Sequence, residues 1–340
     1  MSGGTGTRLA GLVGVALGAC LLALAPLLPT VVAGQLDRIA MPVGTVSWEL
    51  LGGDASYLDT RTWEERTGEP VAVRTDIWAH PEVSDADRAV WSMRTTVLGE
   101  DAVLDHVERR AAFDRRTGLA VDCCGAHVAG DFGAPQEGLV FAFPPGEPPG
   151  DRPFYDPTLR AAAQMAYDGA ETLHGLAVHR YTQHIEPTPV PGPERRVPAE
   201  LVGLPGPDPV PVQRHLELTR TYWVEPVTGR VVAIAEDRAE TLHPEDGGTP
   251  ADLLRAELLT PESAVAANAA SIRDQALWRR AVDGWLPIAF GAVGLVLVVG
   301  GALLVRRASR RTAATGAEGV GGPAAEQTEL DRERPAGAVG

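Results

Sequence analysis

The sequence predicts a mainly β (α+β) protein in which an antiparallel, strand-rich extracytoplasmic domain lies between two transmembrane helices. Three observations support this fold class. Two long segments near the ends of the chain carry no charge, short runs rich in Val, Leu, Ile and aromatic residues recur between them, and turn-forming residues separate these runs. Helical periodicity is scarce until the end of the domain.

The first uncharged segment, residues 9–33, is long enough to span a bilayer as a helix, and residues 1–8 form the predicted cytoplasmic N-terminus. The apolar cores of signal peptides are shorter, roughly 7–15 residues, so we expect an uncleaved anchor. A cleaved signal peptide is the alternative, because residues 31–33 before Gly34 resemble a small-residue cleavage site. In both cases the following domain is exported.

The second uncharged segment, residues 285–305, is followed by four arginines, namely Arg306, Arg307, Arg310 and Arg311. Basic residues beside a span favour the cytoplasmic side, and Arg8 favours the same side for the first span. We therefore predict a two-pass protein of the cell membrane with both termini in the cytoplasm. Arg279 and Arg280 lie on the predicted outer side but are outnumbered. Residues 306–340, rich in Gly, Ala and Glu, predict a disordered cytoplasmic tail.

Residues 34–260 form the predicted β-rich domain. Seven runs have strand composition, at residues 45–51, 71–78, 89–98, 139–143, 176–185, 215–224 and 230–236. The Thr-Gly pairs at residues 117–118 and 228–229 each follow an aromatic strand end and an acidic residue, and each predicts a hairpin in which Gly supplies the positive φ. The Thr-Gly pair at residues 67–68 fits a third hairpin.

Two helices are predicted in this domain. Residues 155–158 open a short helix at residues 159–166. Residues 261–284 form a membrane-proximal helix, because Thr260 offers a capping hydroxyl, Pro261 suits the first turn and Glu262 lies near the positive end of the helix dipole. This second helix runs toward the second span, so the domain is expected to sit directly on its anchor.

The charge of the exported part restricts its partners. Residues 34–284 contain 40 acidic residues and 23 arginines, a net charge of −17, whereas the whole chain carries −15. A phosphate group approaching this domain would move against its electrostatic field. Nucleic acid is therefore excluded as a predicted partner, and anionic lipid head groups are disfavoured.

The sequence contains no nucleophile elbow, zinc-binding helix motif, phosphate loop or dinucleotide-binding loop, so we predict no enzyme, no catalytic residue and no cofactor. His174, His179 and His184 are spaced by five residues, but alternation along a strand would place His179 and His184 on opposite faces. No metal site is therefore predicted. The acidic pairs Asp85 with Asp87 and Glu64 with Glu65 are interpreted as solvated.

The three cysteines do not form a disulfide framework. Cys20 lies within the first apolar segment. Cys123 and Cys124 are adjacent, and the sequence leaves open whether they are reduced thiols or a vicinal disulfide.

Small residues in both apolar segments allow close helix packing, within one chain or between copies of a homo-oligomer. Gly14 and Gly18 form a Gly-x-x-x-Gly motif, and the second segment contains Gly291, Gly294, Gly300 and Gly301.

The whole arrangement resembles the actinobacterial PorA-type porin family of membrane-anchored envelope proteins. The segments that carry the resemblance are the first span, residues 155–158, residues 169–176 with Tyr181 and Gln183, residues 221–229 and the C-terminal helix that enters a span. The resemblance implies a cell-envelope location, a two-anchor layout and a porin. Because two apolar spans offer no aqueous path, a channel would require several chains.

These observations together predict a non-enzymatic envelope membrane protein. Its partners are the lipid bilayer and, on an apolar concave face of the sheet, a lipid ligand or an envelope protein. A subunit of an oligomeric porin or channel is the alternative. An envelope hydrolase would need a clustered nucleophile and base, which the sequence does not show.

Overall fold

A computed structural model describes residues 3–146, 148–245 and 247–317. The chain divides into two compact units. Leu28–Trp285 form one, which we call the sheet unit, and Met1–Leu27 with Leu286–Gly340 form the other, which we call the helical unit.

The helical unit contains α1 (Gly3–Leu27) and most of α4 (Trp285–Ala317). Two helical stretches are long and apolar enough to cross a membrane, Gly6–Leu36 and Trp285–Arg310, and they contain the predicted spans. Helix α4 continues beyond the predicted span to Ala317, and residues 318–340 of the predicted tail lie outside the described residues.

Glycines bring the two helices together within one chain. A Cβ atom on Gly18 would lie 2.6 Å from the carbonyl oxygen of Gly294, and one on Gly301 would lie 2.5 Å from that of Gly11. In both helices the two glycines are seven residues apart, so they recur on one face. At Gly14 of the Gly-x-x-x-Gly motif the helices are farther apart, since an added Cβ would lie 3.6 Å from the nearest atom of α4.

Replacement of Gly18 or Gly294 by Leu is expected to separate α1 from α4, because no side chain fits between the two backbones. The expected loss of stability is about 1–3 kcal/mol, typical of overpacking. The thermal unfolding midpoint of the full chain in mild detergent measures it. Gly291→Leu is the matched control, because a Cβ at Gly291 has no atom within 4 Å. Equal midpoints for all three variants would show that the packing contributes nothing.

The sheet unit begins with a π-helical turn (Leu28–Val32) and the short α2 (Ala33–Leu36), and contains two 3-10 helices (Pro81–Val83 and Ala199–Val202). Its thirteen strands are β1 (Thr45–Asp59), β2 (Glu64–Ala79), β3 (Arg88–Leu98), β4 (Val103–Asp114), β5 (Ala120–Val121), β6 (His127–Val128), β7 (Arg152–Asp156), β8 (Ala161–Leu173), β9 (Leu176–Pro189), β10 (Arg195–Val197), β11 (Val210–Glu225), β12 (Arg230–Pro244) and β13 (Ala251–Leu259). Helix α3 (Glu262–Asp283) ends the unit.

One antiparallel half-barrel sheet contains all thirteen strands, in the order β5-β4-β3-β2-β1-β13-β12-β11-β9-β8-β7, with β6 paired to β4 and β10 to β11. The predicted mainly β, antiparallel fold class is confirmed. Alternation fixes which face is buried, as β13 shows: Leu254, Ala256 and Leu258 are buried, whereas Arg255 and Glu257 between them are exposed. These three residues form one apolar cluster with buried residues of β1, β2 and β3, among them Leu50, Val73 and Val97.

The two outer strands of the sheet are joined through residues 138–140. Ala120 of β5 donates its N–H to the carbonyl of Gly138 (2.9 Å), while Leu139 donates to Pro153 of β7 (2.8 Å) and accepts from Tyr155 (2.8 Å). Leu139 therefore bridges to Leu119 on one side and to Phe154 on the other. This segment closes the half-barrel at that level of the sheet.

Gly138→Ala is expected to destabilise this closure. Gly138 has φ +68°, and an added Cβ would lie 2.5 Å from the Pro153 carbonyl oxygen. Strain and collision together should cost about 2–4 kcal/mol in the free energy of unfolding. Gly44→Ala is the control, since Gly44 has φ +72° with open space around its Cβ position, and conformational strain alone should cost about 1 kcal/mol. Similar unfolding midpoints for the two variants would contradict the closure argument.

Six of the seven predicted strand runs lie inside observed strands, and the hairpins at residues 117–118 and 228–229 are confirmed by the antiparallel pairs β4–β5 and β11–β12. The run 139–143 forms the closing bridges instead of a strand. The predicted third hairpin is wrong, because residues 67–68 lie within β2, where its register with β1 shifts.

The predicted helix at residues 159–166 is also wrong. Residues from Ala161 onward form β8, since pairing with β7 at residues 161–165 and with β9 from Met165 onward outweighs the helix propensity of three consecutive alanines. Thr260 does not cap α3 either. Its hydroxyl accepts from the N–H of Ile234 (2.9 Å) and donates to the carbonyl of the same residue (3.1 Å), which ties the start of α3 to β12.

Candidate ligand cavity

The concave face of the sheet unit contains a cavity of about 730 Å³. Binding sites for small molecules span roughly 300–1,000 Å³, so this space is large enough for a ligand. Its walls come from alternate residues of β1, β2, β3, β4, β11 and β12, because every second side chain of a strand faces the same side of a sheet.

Most of the wall is apolar. Five inward-facing aliphatic or aromatic side chains from three neighbouring strands form one continuous surface, and these are Trp48 and Leu50 of β1, Val73 and Ile77 of β2, and Val97 of β3. Ile234 of β12 also lines the cavity and packs against the cluster that contains Leu50, Val73 and Val97. Such a surface favours an apolar ligand, since each buried methylene group contributes about 0.8 kcal/mol.

Two chain segments that flank the hydrophobic helices in the sequence also line the cavity, residues 35–42 and the last turns of α3. Arg279 of α3 joins them, because it donates to the carbonyl of Leu36 and forms an ion pair with Asp37. Gln275, one turn earlier, accepts a hydrogen bond from Arg230 at the start of β12 (2.8 Å). These contacts fix α3 beside the segment that precedes β1.

The cavity borders on a row of buried charges that we call the ion-pair chain. Its members alternate in sign and follow in the order Asp105, Arg214, Glu240, Arg238, Glu236, Arg220 and Asp156. The successive N–O distances are 2.6, 2.6, 2.7, 3.9, 2.5 and 3.1 Å. All of these side chains are at most 18 % exposed.

Strand register creates the ion-pair chain. Arg220 and Glu236 are direct cross-strand partners of β11 and β12, and Arg238 lies two residues along the same face of β12. Asp105 belongs to β4, six strands away from β11 in the sheet order, so its bond to Arg214 crosses the interior of the half-barrel. This cross-connection holds the two walls at a fixed separation.

Burial and charge oppose each other in these groups. Burial by itself would raise the pKa of Asp156, but the Arg220 charge and the N–H of Leu159 lower it below the ordinary value. Burial would likewise lower the pKa of Arg220, but Glu236 and Asp156 raise it overall. For Asp105 too, the Arg214 charge and hydrogen bond outweigh burial and lower the pKa. These members of the chain are therefore ionised at neutral pH.

Arg109 of β4 is a buried cation outside this chain. Its guanidinium donates to Gln136 Oε1 (3.2 Å) and to the carbonyl of Val140, and lies 4.3 Å from the Phe141 ring centroid and 5.4 Å from that of Tyr155. Burial lowers its pKa to about 10, so it remains protonated at neutral pH.

Two carboxylates lie in the segments 155–158 and 221–229, and both hold the backbone of a turn. Asp156 accepts from the N–H groups of Thr158 (2.8 Å) and Leu159 (3.0 Å), and its other oxygen pairs with Arg220. Glu225 is fully buried and accepts from the N–H and the hydroxyl of Thr228 (2.8 and 2.7 Å) in the turn between β11 and β12. Both carboxylates therefore stabilise turns that contribute to the cavity wall.

The three histidines of the sequence analysis have separate environments. His174 bonds to Glu262 (2.9 Å), His184 bonds to Thr219 (2.9 Å) and Glu186 (3.1 Å), and His179 packs on the Tyr167 ring. No group of three metal-ligating side chains occurs within the ranges that the structure describes.

The remaining residues considered from sequence lie away from the cavity wall. Asp85 pairs with Arg88, and Asp87 with Arg38. Glu64 and Glu65 are exposed in β2. Cys123 and Cys124, whose state the sequence left open, form a vicinal disulfide, and Cys20 is a free thiol.

Sequence reasoning did not find the buried charges of the cavity. Their signal was present as ionic residues at every second position of a strand, as in Glu236, Arg238 and Glu240. The same alternation describes a solvated face, so it could not distinguish inside from outside before the register was known.

Comparison with known families identifies the chain. No curated protein gives a significant match. The family described as Porin PorA matches residues 10–303, which include the whole sheet unit and most of both hydrophobic helices. Together with two helices of membrane-spanning length, this match indicates a membrane protein. The chain belongs to the Porin PorA family.

Proposed function

We propose that this protein is a non-enzymatic, membrane-anchored component of the cell envelope whose sheet unit binds the apolar chain of a lipid. The observation that carries the proposal is the cavity of about 730 Å³ on the concave face, whose strand-borne wall is mainly apolar. An acyl chain that buries ten methylene groups there would gain about 8 kcal/mol before the costs of association. Two membrane-spanning helices would anchor the chain to a bilayer, which is a source of such acyl chains.

Ile234→Trp is expected to exclude the ligand, because the larger ring would occupy the space beside the half-buried Ile234. Lipid that remains bound after purification in mild detergent should fall at least about fivefold, since bound lipid and indole need the same volume. Native mass spectrometry of the full chain measures the adduct directly.

Leu259→Trp is the matched control for this substitution. Leu259 belongs to the adjacent strand β13, is 59 % exposed and does not line the cavity. The control should retain lipid at the level of the unmodified protein. Loss of lipid in both variants, or in neither, would contradict binding in the cavity.

A subunit of an oligomeric channel is the second candidate function, and membership of a porin family favours it. The two spans of one chain are apolar, so a water-filled pore would require several copies. The same mass spectra decide between the candidates: a monomer or dimer with a lipid adduct supports lipid binding. A larger ring without lipid that conducts ions in a planar bilayer would establish the channel.

We also propose that both termini lie in the cytoplasm and the sheet unit outside, because four arginines follow the second span. In a Cys20→Ala background, Val43→Cys should react with a membrane-impermeant maleimide in intact cells, since Val43 is 98 % exposed. Ser309→Cys should react only after permeabilisation. The background chain without an added cysteine controls for labelling of the vicinal disulfide, and the reverse labelling pattern would overturn this topology.

A further inference from the structure

One region of the cavity wall contains buried hydrogen-bond donors that have no acceptor. Trp91 Nε1, Arg109 Nε and Tyr155 Oη are each inaccessible to solvent and have no hydrogen-bond partner. The three residues are 7 %, 2 % and 1 % exposed. We call them the donor cluster. Buried polar groups normally have partners, and three donors without one meet in this wall.

Two of the three side chains lie beside one aromatic ring, and the third lies beside the guanidinium of Arg109. The Trp91 ring centroid lies 5.5 Å from that of Phe141, and the Arg109 guanidinium lies 4.3 Å from the same ring. Tyr155 lies 5.4 Å from the guanidinium. All four residues line the cavity. The donor cluster is thus one localised site and not three scattered groups.

Arg109 also differs from the other buried arginines of the described ranges. Each of the others has a carboxylate within 4 Å, and these are Arg214, Arg220, Arg238 and Arg279. No described carboxylate lies that close to Arg109. Asp156 stabilises the charge of Arg109 only from a longer distance, and burial still lowers the pKa of Arg109. A buried cation without a contacting anion is costly, and a bound anion would remove that cost.

We propose that the donor cluster holds the anionic head group of a single-chain amphiphile, a carboxylate or a phosphate, while its apolar chain lies against β1, β2 and β3. This inference rests on the proposed function and adds the class of ligand. Small side-chain rotations would expose the covered donor atoms to the cavity, and charge-assisted hydrogen bonds from Arg109, with Trp91 and Tyr155 as further donors, would then fix the head group. Leu50, Val73 and Ile77 would cover the chain.

The negative charge of the domain disfavoured anionic head groups at the sequence level, and the cavity reverses this expectation locally. Surface charges are screened within about 8–10 Å at ordinary ionic strength, whereas a buried cation acts in a medium of lower permittivity. Two carboxylates of the cavity wall, Asp105 and Glu236, are paired with Arg214 and Arg220. The third, Asp274, is exposed to solvent. Arg109 is therefore the charge of the donor cluster itself, and no carboxylate in contact with it neutralises that charge.

Three probes with one long chain test the head-group assignment on the full-length protein in mild detergent. Palmitate carries a carboxylate, lysophosphatidic acid a phosphate and 1-hexadecanol no charge. Native mass spectrometry with increasing probe gives each apparent affinity. The unmodified protein should bind at least one anionic probe about tenfold or more tightly than the alcohol, the effect of a hydrogen bond to a charged group. The anionic probe with the higher apparent affinity shows whether the ligand carries a carboxylate or a phosphate.

Substitution of Arg109 should remove the preference for the anion. Arg109→Gln is expected to lower the affinity for the favoured anionic probe about tenfold and to leave 1-hexadecanol binding within about twofold. Arg255→Gln is the control, because it removes the same charge from an exposed arginine of β13 that does not line the cavity. This control should keep the preference of the unmodified protein.

Tyr155→Phe provides a second variant that does not depend on tolerance of a change at Arg109. It removes only a hydroxyl that has no partner, so the fold should persist while anion affinity falls about threefold or more. Equal affinities for the anions and the alcohol, or a preference that survives both substitutions, would overturn the head-group assignment alone. If no probe binds, the lipid-binding function itself fails.

Discussion

The closure of the sheet by residues 138–140 is the constraint on which the rest of the structure depends. An open sheet exposes unpaired backbone groups along its two outer strands. Here Gly138 and Leu139 bond to both outer strands at once, so the sheet must curve until β5 and β7 approach the same segment. Gly138 is suited to this position because a side chain would meet the Pro153 carbonyl. The curvature creates the concave face, and hence the cavity.

The interior then has two different halves. Where the walls approach each other, the ion-pair chain crosses from β4 to β11, and its alternating charges compensate one another's desolvation. Where the walls remain apart, apolar side chains of β1 to β3 enclose empty volume. Arg109 lies among aromatic rings and outside the chain, which leaves its charge available. An apolar space beside a buried cation that contacts no carboxylate has the chemistry of a site for an anionic amphiphile.

Much of the architecture could be predicted from the sequence alone. Six strand runs, two hairpins and two uncharged segments followed from composition and turn chemistry, because these signals are local. The errors arose where distant partners decide the conformation. Residues 159–166 have helical propensity, yet pairing with β7 and then with β9 makes residues 161–166 part of β8. Thr260 has the composition of a helix cap, yet its hydroxyl bonds to Ile234, 26 residues away in the chain.

The amino-acid sequence by itself determined the class of protein: two apolar segments flanking an acidic, strand-rich domain without a catalytic motif. Only the tertiary structure decided which alternate residues face inward, because a shift of register by one residue exchanges the two faces of a strand. That choice places Trp91 and Arg109 beside the Phe141 ring, and Tyr155 beside the Arg109 guanidinium, in the cavity wall. These residues come from β3, β4 and β7, so their proximity depends on the closure of the sheet rather than on any local sequence pattern.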